Sequence, residues 1–163
     1  MKKTNAARYL DTAGVPYNVV EYDVDESDLS AESVAKKLKL PATQVFKTLV
    51  IRGDRTGIFL ACIPGDAELD LKRMAETSGN KKAEMVPVKE ILPVTGYVRG
   101  GVSPIGTKRR YPVFLDKSAM AFPFIAVSAG VRGAQLLIEP MRLSGILNAK
   151  TVPISRRREG GIS

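Results

Sequence analysis

Val45-Phe46-Lys47-Thr48-Leu49-Val50-Ile51-Arg52 and Ile58-Phe59-Leu60-Ala61-Cys62-Ile63 are separated by Gly53-Asp54-Arg55-Thr56-Gly57. Both runs are rich in β-branched and aromatic side chains, which suit a pleated, packed surface. The short turn between them is bounded by glycines, so the two runs read as a β-hairpin closed by Pro64-Gly65. Neither face of the first strand looks solvated. One carries Phe46, Thr48 and Val50; the other carries Val45, Lys47, Leu49 and Ile51. Lys47 is out of place in that pattern. It either snorkels or pairs with a carboxylate, or it stands as a cation facing a cavity that takes an anionic group.

Outward from the hairpin, strands and helices mix without strict alternation. Apolar residues at 6, 7, 10 and 13 have helical spacing, stopped by Gly14 and Pro16. Residues 17–22 read as a strand. Ser30 is a helix N-cap for a helix ending near Leu38, before Pro41. Beyond the hairpin, helices are expected over 70–77, 86–92 and 141–147. Strands are expected over 96–99, 111–115, 125–128, 135–138 and 151–154. Short turns join several strand pairs, which predicts an α+β fold with a mixed, largely antiparallel sheet. One domain is expected over 1–155, followed by a basic, frayed tail over 156–163.

Composition narrows the chemistry. The chain has 163 residues, 44% of them hydrophobic and 26% charged, enough for one globular domain with its own core. It contains no His and one Cys, which removes a Ser-His-Asp triad, a Cys-His dyad and a structural zinc site from consideration. No metal or cofactor is expected. Cys62 has no partner for an internal disulfide and reads as core, which fits a reducing, cytoplasmic setting. No apolar run approaches the roughly 20 residues that span a bilayer. The net charge is +8, and it is uneven. Three basic residues face six acidic ones over residues 1–29, so the rest of the chain holds a surplus of +11. Its clusters are Lys36, Lys37 and Lys39; Lys81 and Lys82; Lys108, Arg109 and Arg110; and Arg156, Arg157 and Arg158. Such a surface attracts polyanions, and it also serves plain solubility.

Two loops are further candidates. Arg99-Gly100-Gly101-Val102-Ser103-Pro104-Ile105-Gly106 can bring backbone N–H groups close to a ligand, or simply turn the chain. Ser128-Ala129-Gly130-Val131-Arg132-Gly133 reads as a tight turn, or as a pocket wall in which Arg132 faces a phosphate. Tyr22, at a strand end, is either half-buried core or pocket wall.

Taken together, the motif around Lys47, the Gly101-x-x-Pro104-Ile105-Gly106 run and the Ser128-Ala129-Gly130-x-Arg132-Gly133 turn resemble the YbaK/EbsC family. These are free-standing relatives of the editing domain of bacterial prolyl-tRNA synthetase, and the likeness covers roughly residues 3–152. The resemblance implies a single α+β domain with a curved mixed sheet and surrounding helices, working without a metal. It implies deacylation of mischarged tRNA(Pro), with cysteine as the amino acid removed and the substrate thiol cleaving its own ester as a thiolactone. A transient complex with prolyl-tRNA synthetase is implied as the partner. Alternatives are another small aminoacyl group such as alanine, removed by water, or a non-catalytic tRNA-binding module. Carried over by motif, Lys47, Gly101 and Gly106 are the catalytic positions, with Lys47 a cation on the terminal adenosine or its phosphate. Tyr22, Ser103, Pro104, Ile105, Ser128, Gly130, Arg132 and Gly133 are the substrate-binding positions. The family often has an Asp after the Arg-Gly of the glycine turn. Gln135 stands nearest here, so no acidic role follows.

Overall fold

The computed structural model describes residues 3–158. The chain opens with α1 (Asn5–Ala13), β1 (Asn18–Glu21) and α2 (Ala31–Leu38). The hairpin follows as β2 (Phe46–Gly53) and β3 (Gly57–Pro64), then β4 (Ala67–Leu69), α3 (Leu71–Ser78), β5 (Ala83–Met85) and α4 (Val88–Thr95). The second half holds β6 (Val113–Asp116), β7 (Ile125–Ser128), β8 (Ala134–Ile138), α5 (Pro140–Leu147), β9 (Lys150–Val152) and β10 (Ser155–Arg157). No helix among the described residues is long and apolar enough to cross a membrane.

The hairpin is central because both of its faces find apolar cover. β2 and β3 sit inside a five-stranded sheet ordered β5-β2-β3-β6-β9. Pairing is antiparallel at β2–β5 and β2–β3, and parallel at β3–β6 and β6–β9. A second, antiparallel sheet runs β1-β8-β7, and a bridge between Val45 and Ala126 joins its edge to the start of β2. The sheet is therefore mixed and largely antiparallel, as expected. Phe46, Val50, Leu60 and Cys62 face the larger core with Leu10, Ile125, Leu136 and Leu143. Ile51, Phe59, Ala61 and Ile63 face a second core with Met74, Phe114 and Ile154. Each fully buried Leu, Ile or Phe contributes about 1.5–3 kcal/mol, so a strand covered on both sides is hard to displace. Phe59 and Phe114 meet edge to face at 5.3 Å.

Local chemistry sets the helix ends. The Ser30 hydroxyl accepts from the Ser33 N–H, and the Asp70 carboxylate accepts from the Arg73 N–H, capping α2 and α3. Gly14 and Gly79 close α1 and α3 with left-handed φ of 71° and 81°.

Three expectations are corrected. Residues 96–99 form no strand. Gly96 ends α4 with φ 83°, and Tyr97 then turns inward to donate its hydroxyl to the carbonyls of Ile105 and Gly106. The helix expected over 86–92 is shifted and runs on through Pro93 to Thr95, whose hydroxyl donates to the Ile91 carbonyl. The tail expected from Arg156 is instead a strand through Arg157: β10 pairs antiparallel with β4, setting Ser155 against Leu69 and Arg157 against Ala67. Residues 159–163 lie outside the described residues. Buried Asp116 anchors this C-terminal run by accepting from the backbone N–H of Ile154 and Ser155, both at 2.9 Å. Burial opposes ionisation of Asp116. The Ser118 hydroxyl and the N–H groups of Ile154, Ser155 and Ser118 outweigh it and hold the carboxyl below its ordinary value.

Candidate functional site

Lys47 lies near the start of β2, half-buried, and donates to the Gly65 carbonyl at 3.2 Å. That contact needs the chain after β3 to fold tightly over the start of β2. The Gly65 N–H donates to the Val45 carbonyl at 2.7 Å, and a Cβ on Gly65 would stand 2.8 Å from that of Ala31. Only glycine permits this approach. Burial pushes the Lys47 ammonium below its ordinary pKa, and the positive charge of Arg158 pushes the same way. Glu32, Asp66 and Glu68 partly offset both.

Lys47 borders a cavity of about 560 Å³, within the range of small-ligand sites. The first turn of α2, strand β2, the start of α4 and the 99–102 loop wall it. Its charged lining residues are Lys47, Arg99, Arg158 and Glu32, so Glu32 is the single carboxylate among the described residues that line it. Ser128 and Gln135 also line it and are register partners across β7 and β8. The Ser128 hydroxyl accepts from the Gly130 N–H at 3.1 Å. Gln135 is 5% exposed, and its Oε1 finds no hydrogen-bond donor among the described residues.

The positions expected from sequence fall into three groups. Lys47 and Ser128 line the cavity. Tyr22 and Arg132 line a shallow neighbouring depression that shares Leu29, Val34 and Gly100 with it. Lys37 lies 5.9 Å from the centre of the Tyr22 ring. Arg132 donates to the Arg99 carbonyl and pairs with Glu26, both at 2.8 Å, which ties the glycine turn to the 100–101 loop.

Gly101, Ser103, Pro104, Ile105, Gly106, Gly130 and Gly133 do not line the cavity. Gly101 packs against the backbone of Val131 and Arg132, where a Cβ would meet atoms at 3.0–3.1 Å, and its N–H donates to the Val98 carbonyl. Ser103 and Ile105 are fully buried, Pro104 is buried between them, and the Ser103 hydroxyl accepts from the Ile105 N–H. Gly106 packs against Asn5 and the Tyr97 hydroxyl. Gly130 has φ +100° and leaves room for the Tyr97 ring, and the Gly133 carbonyl accepts from the Tyr22 N–H. These residues set the packing of the two loops against each other and against Tyr97 and Tyr22.

Sequence reading missed Glu32 and Arg158 and set Gln135 aside. Arg158 read as part of the basic tail, and nothing in its local sequence singled out Glu32. Cys62 is core: burial pushes its thiol up to about 12, which leaves it unionised and inert.

Four matches to known proteins bear on this arrangement. The family model of the aminoacyl-tRNA editing domain matches residues 25–145. EbsC of Enterococcus faecalis, provisionally named a Cys-tRNA(Pro)/Cys-tRNA(Cys) deacylase, is 44% identical over 96% of this chain and 95% of its own. A proline–tRNA ligase of Thermosipho africanus is 32% identical over 49% of this chain and 14% of its own length. A crystal structure described as that of a provisional trans-editing enzyme for prolyl-tRNA synthetase superposes with a TM-score of 0.83 at 25% identity. It covers 96% of this chain and 99% of its own.

Proposed function

The chain belongs to the aminoacyl-tRNA editing domain family, and from that premise we propose that it removes cysteine mischarged onto tRNA(Pro), using the cysteine's own thiol. Deacylation of aminoacyl-tRNA is the activity of the family and of this chain. The observation that carries the finer reading is the chemistry of the cavity wall. Among the described residues it offers cations, hydroxyls, a carboxamide and a single carboxylate, Glu32, with no histidine and no ionised thiol. A cysteinyl ester carries both base and nucleophile in one group, so the thiol route asks neither of the wall.

The ester is already activated, so orientation and charge stabilisation suffice. A cysteine thiol with an ordinary pKa of about 8.5 is a few per cent ionised at neutral pH. Its sulfur bonds to the carbonyl carbon and the bond from that carbon to the ribose oxygen breaks. The ribose oxygen takes up the proton the thiol released, and a four-membered thiolactone departs. Lys47 stays protonated and holds the terminal phosphate or adenosine. Ser128 and Gln135 border the space for the amino acid. Gly101 and Gly106 serve by the shape they give the loop behind it. The relatives embedded in proline–tRNA ligase support a transient complex with that synthetase, which would supply tRNA selectivity that a basic surface lacks.

Single-turnover deacylation of Cys-tRNA(Pro) and Ala-tRNA(Pro), by wild type and Lys47→Ala in parallel, tests this. Loss of cysteine alone with recovery of thiolactone, slowed 100-fold or more by the substitution, is expected. Loss of alanine at a comparable rate would replace the thiol route with a water route.

A further inference from the structure

Lys47 is one of two cations that meet at the same end of the cavity. Arg158 follows β10, whose register sets Arg157 against Ala67. Continuing that register brings Arg158 alongside Asp66, next to Gly65, whose carbonyl holds Lys47. Arg158 and Lys47 line the same cavity. Arg158 donates to Glu32 at 2.9 Å, with the two side chains 43% and 41% exposed. The strand beneath it is fixed twice, by the Asp116 carboxylate on the backbone of Ile154 and Ser155 and by an Arg156–Glu68 pair at 3.4 Å. A guanidinium on a strand fixed in this way repels the half-buried ammonium that shares the cavity. The arrangement makes sense as a two-cation anion site whose own carboxylate fills in when no ligand is present.

We infer that Arg158 is a second phosphate-contacting residue of this cavity, and that the 5′-phosphate of the terminal nucleotide displaces Glu32 from it. The inference rests on the proposed reading for the identity of the phosphate. An exposed ion pair is weak. A phosphate offers the guanidinium fork two oxygens and more charge, so the exchange favours the ligand. Arg158 then contributes binding shared by ground state and transition state, which appears in KM and leaves kcat unchanged. Glu32 acts as an internal competitor: it holds Arg158 in place and lowers the affinity for anions.

The test measures binding by calorimetry of a non-hydrolysable probe, 3′-(serylamino)-3′-deoxyadenosine, with and without a 5′-phosphate. Wild type should bind the phosphorylated probe at least tenfold more tightly. Arg158→Gln should reduce that gain to less than threefold while leaving affinity for the unphosphorylated probe unchanged. Arg158→Lys should fall between. Glu32→Gln should tighten only the phosphorylated probe, by two- to fivefold, and the double variant should match Arg158→Gln. An undiminished phosphate gain in Arg158→Gln overturns the inference, as does a wild type that gains nothing from the phosphate. Arg158-dependent binding in a protein that leaves Cys-tRNA(Pro) intact would sink the cysteine reading alone.

Discussion

At the scale of the residue, Lys47 carries a charge in a place that resists it. Burial, and then the charge of Arg158, lowers its pKa from 10.5. Between that lowered value and 10.5 the folded chain binds fewer protons than the unfolded chain, so the Lys47 contribution makes stability rise with pH across that window. Below it, the buried charge is a constant cost that the phosphate of the proposed reading would relieve. Ligand binding has the opposite trend, because the ammonium is lost as pH rises through its lowered value. We expect KM to climb on the alkaline side at a pH below 10.5, while kcat rises with ionisation of the substrate thiol. Lys47→Arg should abolish the climb in KM, since a guanidinium stays protonated throughout. An alkaline limb that survives unchanged in Lys47→Arg would show that another group titrates. Lys47 was legible in the sequence because a lysine breaks an apolar strand pattern. Glu32, Gln135 and Arg158 were not, because each is ordinary in its local context and gains meaning from neighbours about 15 to 126 positions away in the chain.

At the scale of the element, caps and strand cores were legible and short strands were not. α1 matched its apolar spacing to the residue, and β7 matched as well, because periodicity and turn residues act locally. The three-residue strands β4, β5 and β10 have too little sequence to declare themselves: β5 pairs with the longer β2, while β4 and β10 pair with each other beside the Asp116 carboxylate that holds Ile154 and Ser155. The two glycine loops show the same division. Their glycines were legible, but their job is to let loop 100–106, turn 128–133 and Tyr97 pack together. Gly130→Ala puts a side chain at φ +100° and a Cβ 2.7 Å from the Tyr97 ring. Strain and overpacking together should cost about 2–4 kcal/mol, a fall in Tm of roughly 5–15 °C. Thermal unfolding followed by circular dichroism measures it, and an unchanged Tm would refute the packing role.

At the scale of the whole molecule, the charge of +8 is spread over exposed clusters that include Lys36, Lys37, Lys39, Lys108, Arg109 and Arg110. Contacts of this kind neutralise phosphates and release counterions, so affinity for tRNA should fall linearly with salt on a log–log plot. Replacing Lys108, Arg109 and Arg110 together by Gln should lower that slope by about 2–3, at roughly 0.7–0.9 per phosphate contact. The preference for one aminoacyl group over another should be unaffected. Filter binding across a salt series reads the slope, and a slope equal to wild type would exclude this cluster from the tRNA surface. The sequence by itself determined the central hairpin, the helix ends, the absence of histidine chemistry and the motifs of an editing domain. The first three follow from periodicity, turn chemistry and composition, which need no knowledge of distant contacts; the last follows from resemblance to a known family. The tertiary structure alone decided which polar groups share the cavity, that Arg158 belongs to it through β10, and which residues of the two glycine loops reach it. Those outcomes depend on the order in which strands pair and on which faces are covered, and neither is encoded within any one segment.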